Sequence, residues 1–394
     1  MAAASAVFLA SACAGPAWSQ AVGLAGKRWV VELQASSIYD SNVARGSDAV
    51  AAARKLRKGE FTYSPNANIN IGQPIFGQQL FLAGDVGYTF HQYNKRLKSE
   101  QIGLQGGVRT GYGPCGLTLV GGLNKGQSDL SQIDLSVSRN NQRSTSAAVN
   151  VSCNPLQGIG VTGGYTYAET RNSSEIRTQD SHQESGSMGV TYTNRLLGTL
   201  SINGNYSQTG YDNAEPGDPF TPQGFHQYSG GVSIARPIGT RLTGQAQINY
   251  TDQTTDGGGA GFKGLTGSGT LTYRVNPRVG LSLSYQRGSQ ASIQEGASFV
   301  VSQSADFGLN YRLSQRLNLN LGGHGRRQSY RGQTVILPTS LISDESYGVS
   351  SSLSLKVGRN SSISASAGYD ERNAKPSIYD YSAYRIGVSV STTF

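Results

Sequence analysis

The sequence predicts an all-β fold: a transmembrane, antiparallel, up-and-down barrel of about 18 strands, an even number as bacterial barrels require. Three observations predict it. Apolar and polar residues alternate from Arg28 to Phe394, the connections between alternating segments are by turns short and long, and the chain is polar without being charged.

Alternation is the signature of a strand, because successive side chains point to opposite faces. Leu281, Leu283 and Tyr285 share one face, and Ser282, Ser284 and Gln286 the other. Leu317, Leu319 and Leu321 oppose Asn318, Asn320 and Gly322, and Ile363, Ala365, Ala367 and Tyr369 oppose Ser364, Ser366 and Gly368. One face is apolar and the other polar throughout, as in a barrel with lipid outside and water within.

Composition agrees. A helical span needs about 20 consecutive apolar residues, and the only sustained apolar stretch is at the N-terminus. Charged residues make up 14% of the chain, against about 25% in a typical soluble domain. Ser, Thr, Asn and Gln take their place, and 21 Tyr argue against disorder.

Residues 1–19 read as a signal peptide, with Ala17 and Ser19 as the small residues before a cut at Gln20. The Leu9-Ala10-Ser11-Ala12-Cys13 run keeps a lipoprotein leader open. Residues 20–27 form a short periplasmic segment, and 28–394 the barrel.

The short connections include Pro74-Ile75-Phe76-Gly77, Gly113-Pro114, Asn154-Pro155, Asn276-Pro277 and Gly358-Arg359-Asn360. The long ones include Ser41 to Lys58, Asp212 to Gly224 and Arg331 to Ser343. Short turns belong in the periplasm and long loops outside. Strands are expected to start near residues 28, 59, 78, 98, 115, 137, 158, 179, 198, 224, 239, 262, 278, 298, 316, 343, 359 and 380. Tyr88, Phe90, Tyr165, Tyr167, Tyr192, Tyr206, Tyr250, Tyr273, Tyr285, Tyr311, Tyr369 and Tyr384 fall on the apolar phase. Interfacial aromatics of this kind form the girdles of such barrels.

The last strand puts Tyr384, Ile386, Val388, Val390 and the terminal Phe394 on one face. An alternating strand ending in Phe resembles the signal read by the outer-membrane assembly machinery.

After the first strand comes Ile38-Tyr39-Asp40-Ser41-Asn42-Val43, then a loop and many alternating hairpins. This run resembles the β-barrel porin-2 family. The resemblance implies a Gram-negative outer-membrane barrel, and membership of systems that make and export exopolysaccharide. No helical repeat precedes the first strand, so a separate periplasmic export protein is the expected partner.

Cys115 opens the strand after one short turn, and Cys153 closes the next strand. Neighbouring strands lie about 4.8 Å apart, close to disulfide geometry. A Cys115–Cys153 bridge is expected at the periplasmic rim.

Strand phase directs Arg109, Arg274, Asp306, Arg312, His324, Arg326, Lys356, Asp370 and Arg385 to the lumen. Basic residues predominate, in keeping with a formal net charge of +9. Such a lining favours anionic solutes, and an anionic polysaccharide fits it; solvated charge with no particular ligand is the alternative. In the first long loop, Asp48 to Lys58 has helix-forming composition with Asp48 as its cap. It either constricts the lumen or stands exposed.

Enzyme chemistry finds little footing. The four His make no metal-binding spacing, and no catalytic residue, metal site or cofactor is expected. His182 and His226 fall near outer strand ends, where a lipid-acting site is conceivable in an outer-membrane enzyme or adhesin. Nucleic acid is not an expected partner. Export of a polysaccharide and general diffusion or small-solute uptake remain the two readings.

Overall fold

The computed structural model describes residues 28–128, 140–173, 179–213, 222–256, 259–292, 297–332 and 340–394. The expected signal peptide and the 20–27 segment lie outside the described residues.

All 18 strands form one antiparallel sheet that closes on itself. They are β1 (Arg28–Asp40), β2 (Glu60–Ile75), β3 (Gln78–His91), β4 (Ser99–Tyr112), β5 (Cys115–Gln127), β6 (Asn141–Leu156), β7 (Ile159–Arg171), β8 (Ser181–Asn194) and β9 (Gly198–Tyr211). The second half holds β10 (Phe225–Ile238), β11 (Leu242–Thr255), β12 (Phe262–Asn276), β13 (Val279–Ala291), β14 (Phe299–Arg312), β15 (Leu317–Arg331), β16 (Ser343–Lys356), β17 (Ser361–Lys375) and β18 (Tyr381–Thr393). Each strand pairs with its sequence neighbours, and β1 pairs with β18 from Asp40↔Arg385 to Glu32↔Thr393. Closure leaves no edge strand, the condition for strands to cross a bilayer. The starts fall within a few residues of those expected, the largest shift being at β6, preceded by 129–139, which lie outside the described residues.

The outer face carries the large apolar side chains. Leu82, Val86, Val149, Val190, Ile202, Ile248, Leu283, Val349 and Val388 are exposed there. In water such a surface would be untenable; in lipid it is the required band. The aromatics named above occupy the same face, as the Tyr250↔Leu265 and Tyr369↔Tyr384 registers show.

The periplasmic turns are tight because their residues allow it. Gly113 and Gly239 take φ of 57° and 67°, a region open to Gly and costly for other residues. The loops at the other end are longer. The first contains helix α1 (Asp48–Ala53). Its N-cap is Ser47, not Asp48: Val50 N donates to Ser47 Oγ at 3.3 Å. Asp48 sits in the first turn, where the helix dipole favours a carboxylate, and its carboxyl meets Lys58 Nζ at 2.8 Å. That ammonium holds the Asp48 carboxyl below the usual carboxylate range.

Cys115 and Cys153 stand directly opposite each other, with Cα atoms 4.0 Å apart, and are joined as a disulfide. The bridge ties β5 to β6 at the periplasmic rim and closes a 38-residue separation in sequence. Native protein should therefore show no reactive thiol at these positions until reduced. Reduction is expected to cost about 2–4 kcal/mol, read as an earlier loss of the folded band on heating. Labelling of Cys115 or Cys153 without reductant would contradict the pairing.

Candidate functional site

The lumen is the candidate site, and the sheet register assigns its lining. Arg109, Arg274, Asp306, Arg312, His324, Arg326, Lys356, Asp370 and Arg385 all fall on the face opposite the apolar band. Four of them form one row. Asp306 faces His324, His324 faces Gly348, and Gly348 faces Asp370. His324 Nε2 lies 3.4 Å from Asp370 Oδ1, Arg385 pairs with the other Asp370 oxygen, and Ser284 Oγ donates to Asp306 at 3.4 Å. Gly348 makes the row possible. A Cβ there would collide with the His324 ring and with Asp370 Oδ1, so the two can meet across β16 only over a glycine.

The row continues into the motif after β1. Arg385 faces Asp40, which accepts from Arg45 Nη2 at 2.5 Å and from Asn42 N at 2.8 Å. Asn42 Nδ2 donates to Gly46 O and to Ser382 O. Ser41 N donates to Tyr384 O at 3.0 Å, and Ser41 Oγ accepts from Tyr384 N at 2.8 Å. The Tyr39 ring packs against Phe61 and Tyr384, with centroids 5.2 and 5.9 Å away. The Tyr-Asp-Ser-Asn run therefore latches the β1–β18 seam and turns the first loop.

Several inner-face acids escaped the sequence reading. Glu32, Asp40, Glu60, Asp85 and Asp344 share the lumen phase. Glu60 is buried and accepts from Tyr93 N and Asn94 N, while His91 Nδ1 lies 2.7 Å away. Asp344 is paired with Arg372 Nη2 at 2.6 Å, their side chains 1% and 3% exposed, and accepts from Tyr330 Oη at 3.2 Å. Two-residue spacing from Asp370 was the available signal for Arg372. With these acids included, the charges of the middle and upper lumen are mixed and mostly paired.

The lining divides around the circumference. From β5 to β11, seven consecutive strands, no inner-face residue is charged. Thr199, Ser201, Asn203, Asn205, Ser207 and Thr209 line β9, and Thr243, Gln245, Gln247, Asn249, Thr251 and Gln253 line β11. All mid-lumen charges stand on the remaining wall.

The lining also changes along the axis. On β11, Thr243 and Gln245 near the periplasm are exposed, Gln247 and Asn249 half-buried, and Thr251 and Gln253 fully buried. Packed segments cover the extracellular end. Pairing of β12 with β13 stops at Gly267↔Arg287, whereas β13 and β14 stay paired to Ala291↔Phe299. The freed hairpin end leans inward onto the nearby β9–β10 hairpin. Phe299 meets Phe225 of β10 at 5.8 Å, Tyr211 Oη donates to Ser298 O at 2.6 Å, and Gln223 N donates to Ser298 Oγ at 2.9 Å. Ala297 and Val300 join Tyr330, Leu341 and Tyr379 in a buried cluster. Ser47 Oγ, at the start of α1, donates to Ile378 O at 3.1 Å. Helix α1 thus lies among the loops at the mouth, with Val50 and Ala51 buried.

His182 and His226 lie at the outer rim. His182 Nδ1 is 2.6 Å from Asp212 Oδ1; His226 Nε2 is 3.1 Å from Asp256 Oδ1, and its Nδ1 is 3.0 Å from Tyr206 Oη. Carboxylates and a phenol anchor both rings. No group of His, Cys, Asp or Glu among the described residues could hold a metal ion.

A closed, even-stranded antiparallel barrel with a lipid-facing apolar band and a polar bore is an outer-membrane β-barrel of porin type. Residues 223–394 match the model of the family described as "Putative beta-barrel porin 2". Among solved structures, the chain is similar to OccK2 (OpdF) of Pseudomonas aeruginosa: 11% identity, 93% of this chain and 98% of that one covered, TM-score 0.51. OccK2 has also been solved in complex with glucuronate. A BenF-like porin of Pseudomonas fluorescens Pf-5 matches at 11% identity, covering 94% and 100%, with TM-score 0.50. No curated protein sequence matches the chain. Family match and fold together place the protein in the Gram-negative outer membrane as a porin-like channel, not an enzyme.

Proposed function

We propose that the barrel conducts carbohydrate, specifically an exopolysaccharide handed to it by a separate periplasmic export protein. The observation that carries this reading is the uncharged wall of β5 to β11. Its Ser, Thr, Asn and Gln side chains exchange hydrogen bonds with sugar hydroxyls at little net cost. No aligned charge holds the chain in place, and weak repeated contact is what conduction needs. The channel itself is passive, and the driving force comes from synthesis and from the partner.

In-frame deletion of the gene tests this. Secreted polymer should fall and periplasmic polymer accumulate, with both restored by the intact gene. Unchanged secretion would sink the export reading.

A second reading, uptake of a small sugar acid, draws on a different observation. Segments pack across the extracellular mouth, and OccK2, of like fold, was solved with glucuronate. Slower uptake of glucuronate by the deletion strain, with normal secretion, would select it.

A further inference from the structure

The periplasmic mouth carries six cations as three directly opposed pairs. Arg241 faces Arg274, Arg278 faces Arg312, and Arg316 faces Lys356. In each pair the second residue's backbone N–H donates to the first residue's carbonyl, at 2.7, 2.8 and 2.8 Å. The registers Leu242↔Tyr273, Val279↔Tyr311 and Leu317↔Leu355 continue the same pairing. Opposed residues share a face of the sheet. Arg274, Arg312 and Lys356 are on the lumen face, so all six are.

No described residue neutralises them. The six side chains are exposed. Among the described residues none makes a salt bridge, and Arg241 Nη1 reaches only the Val275 carbonyl, at 3.4 Å. No Asp or Glu stands between residues 257 and 294, 307 and 343, or 346 and 369. Glu32, the lower-lumen acid, belongs to β1, outside this arc.

Like charges directly opposed across a sheet are destabilising, and here the arrangement recurs on three successive strand pairs. An anion seated between each pair turns repulsion into attraction. Guanidinium forks suit carboxylate and phosphate oxygens. With strands about 4.8 Å apart, successive pairs lie about 10 Å apart along the rim. The result is a track of anion seats rather than a single pocket. Its position on the lumen face of the rim suits a chain entering the barrel.

We propose that this arc captures a polyanionic chain, a polysaccharide bearing carboxylates or phosphates, as it enters the barrel from the periplasm. The inference rests on the carbohydrate reading above and adds charge and direction to it: collection on cations at the inner end, then passage along the neutral wall.

Single-channel recording in planar bilayers tests it, with oligogalacturonate as the anionic probe and malto-oligosaccharide of equal length as the neutral one. Oligogalacturonate should block the wild type from one face of the bilayer at concentrations about tenfold lower than from the other, a difference of about 1.4 kcal/mol. The sidedness should fade toward ~1 M salt, where the screening length drops to ~3 Å. It should vanish when Arg241, Arg274, Arg278, Arg312, Arg316 and Lys356 are all changed to Gln. It should shrink in the Arg278→Gln/Arg312→Gln double variant, the fallback if the sixfold variant fails to assemble. Block by malto-oligosaccharide should not change in either. Oligogalacturonate block without sidedness, or sidedness that survives in an assembled variant, overturns the inference while malto-oligosaccharide block upholds the carbohydrate reading. Absence of block by either sugar overturns both.

Discussion

Asp344→Ala is expected to raise single-channel conductance several-fold and to lower barrel stability by about 3–5 kcal/mol. The carboxylate pairs with Arg372 at 2.6 Å in a site that leaves 1% and 3% of the two side chains exposed. Removing one partner of a buried pair strands the other charge, and Arg372 must find water or a new acceptor. Tyr330 loses its acceptor in the same step. Tyr330 and Tyr379 anchor the buried cluster that holds Ala297 and Val300 over the mouth, and the Arg372 guanidinium lies 6.0 Å over the Tyr379 ring. The covering segments should therefore loosen together. Replacing both charges, Asp344→Leu with Arg372→Met, should cost much less stability, because neither charge is left stranded. Conductance and the temperature at which the folded band disappears measure the two effects. Wild-type conductance in a destabilised Asp344→Ala barrel would mean that these segments do not set the bore.

Loss of the terminal aromatic should act earlier, during assembly. Phe394→Ala is expected to reduce folded protein in the outer membrane to a small fraction of wild type, and Phe394→Tyr to preserve most of it. The backbone of this residue closes the seam: Phe394 N donates to Val31 O at 2.7 Å, and Val31 N to Phe394 O at 3.2 Å. Each such bond contributes about 1 kcal/mol, and the Ala variant keeps both. The comparison thus isolates the ring, which extends the outward face of Tyr384, Ile386, Val388 and Val390. The readout is the heat-modifiable form in outer-membrane fractions, with total protein as control. Equal folded levels in Phe394→Ala and wild type would remove Phe394 from any assembly signal.

Much of this architecture was legible in the sequence because a barrel strand is a local object. Its period of two and the Pro, Gly and Asn at its turns are both written within a dozen residues. Phase propagates without error as long as no residue is inserted, so the alternation around Leu281 and Ile363 sufficed to place Asp306 and Asp370 on the lumen face. The mouth was not legible. Phe299 packs on Phe225, and Ser298 bonds Tyr211, across strands that are not neighbours; no periodicity encodes such a meeting. Phase alone would have pointed Phe299 outward with Phe307. The early end of β12–β13 pairing at Gly267 turns it inward. The cap of α1 was misread for a simpler reason: Ser47 and Asp48 are both good caps, and only the backbone at Ser47, with ψ of 174°, decides between them. The buried acids Asp344 and Glu60 were missed because they sit at strand ends, where loop and strand are hardest to separate.

The split between a neutral and a charged wall bears on how occupancy would register electrically. On the proposed function, a sugar chain lying against β5 to β11 would occupy one side of the bore. Hydrated small ions would follow the fixed charges on the other, along Asp306, Asp370 and Arg385. The two kinds of traffic would run in parallel lanes. Threading should then appear in a current trace as a shallow, long-lived sublevel and not as full closure, and the depth of that sublevel measures the cross-section left to the ionic lane.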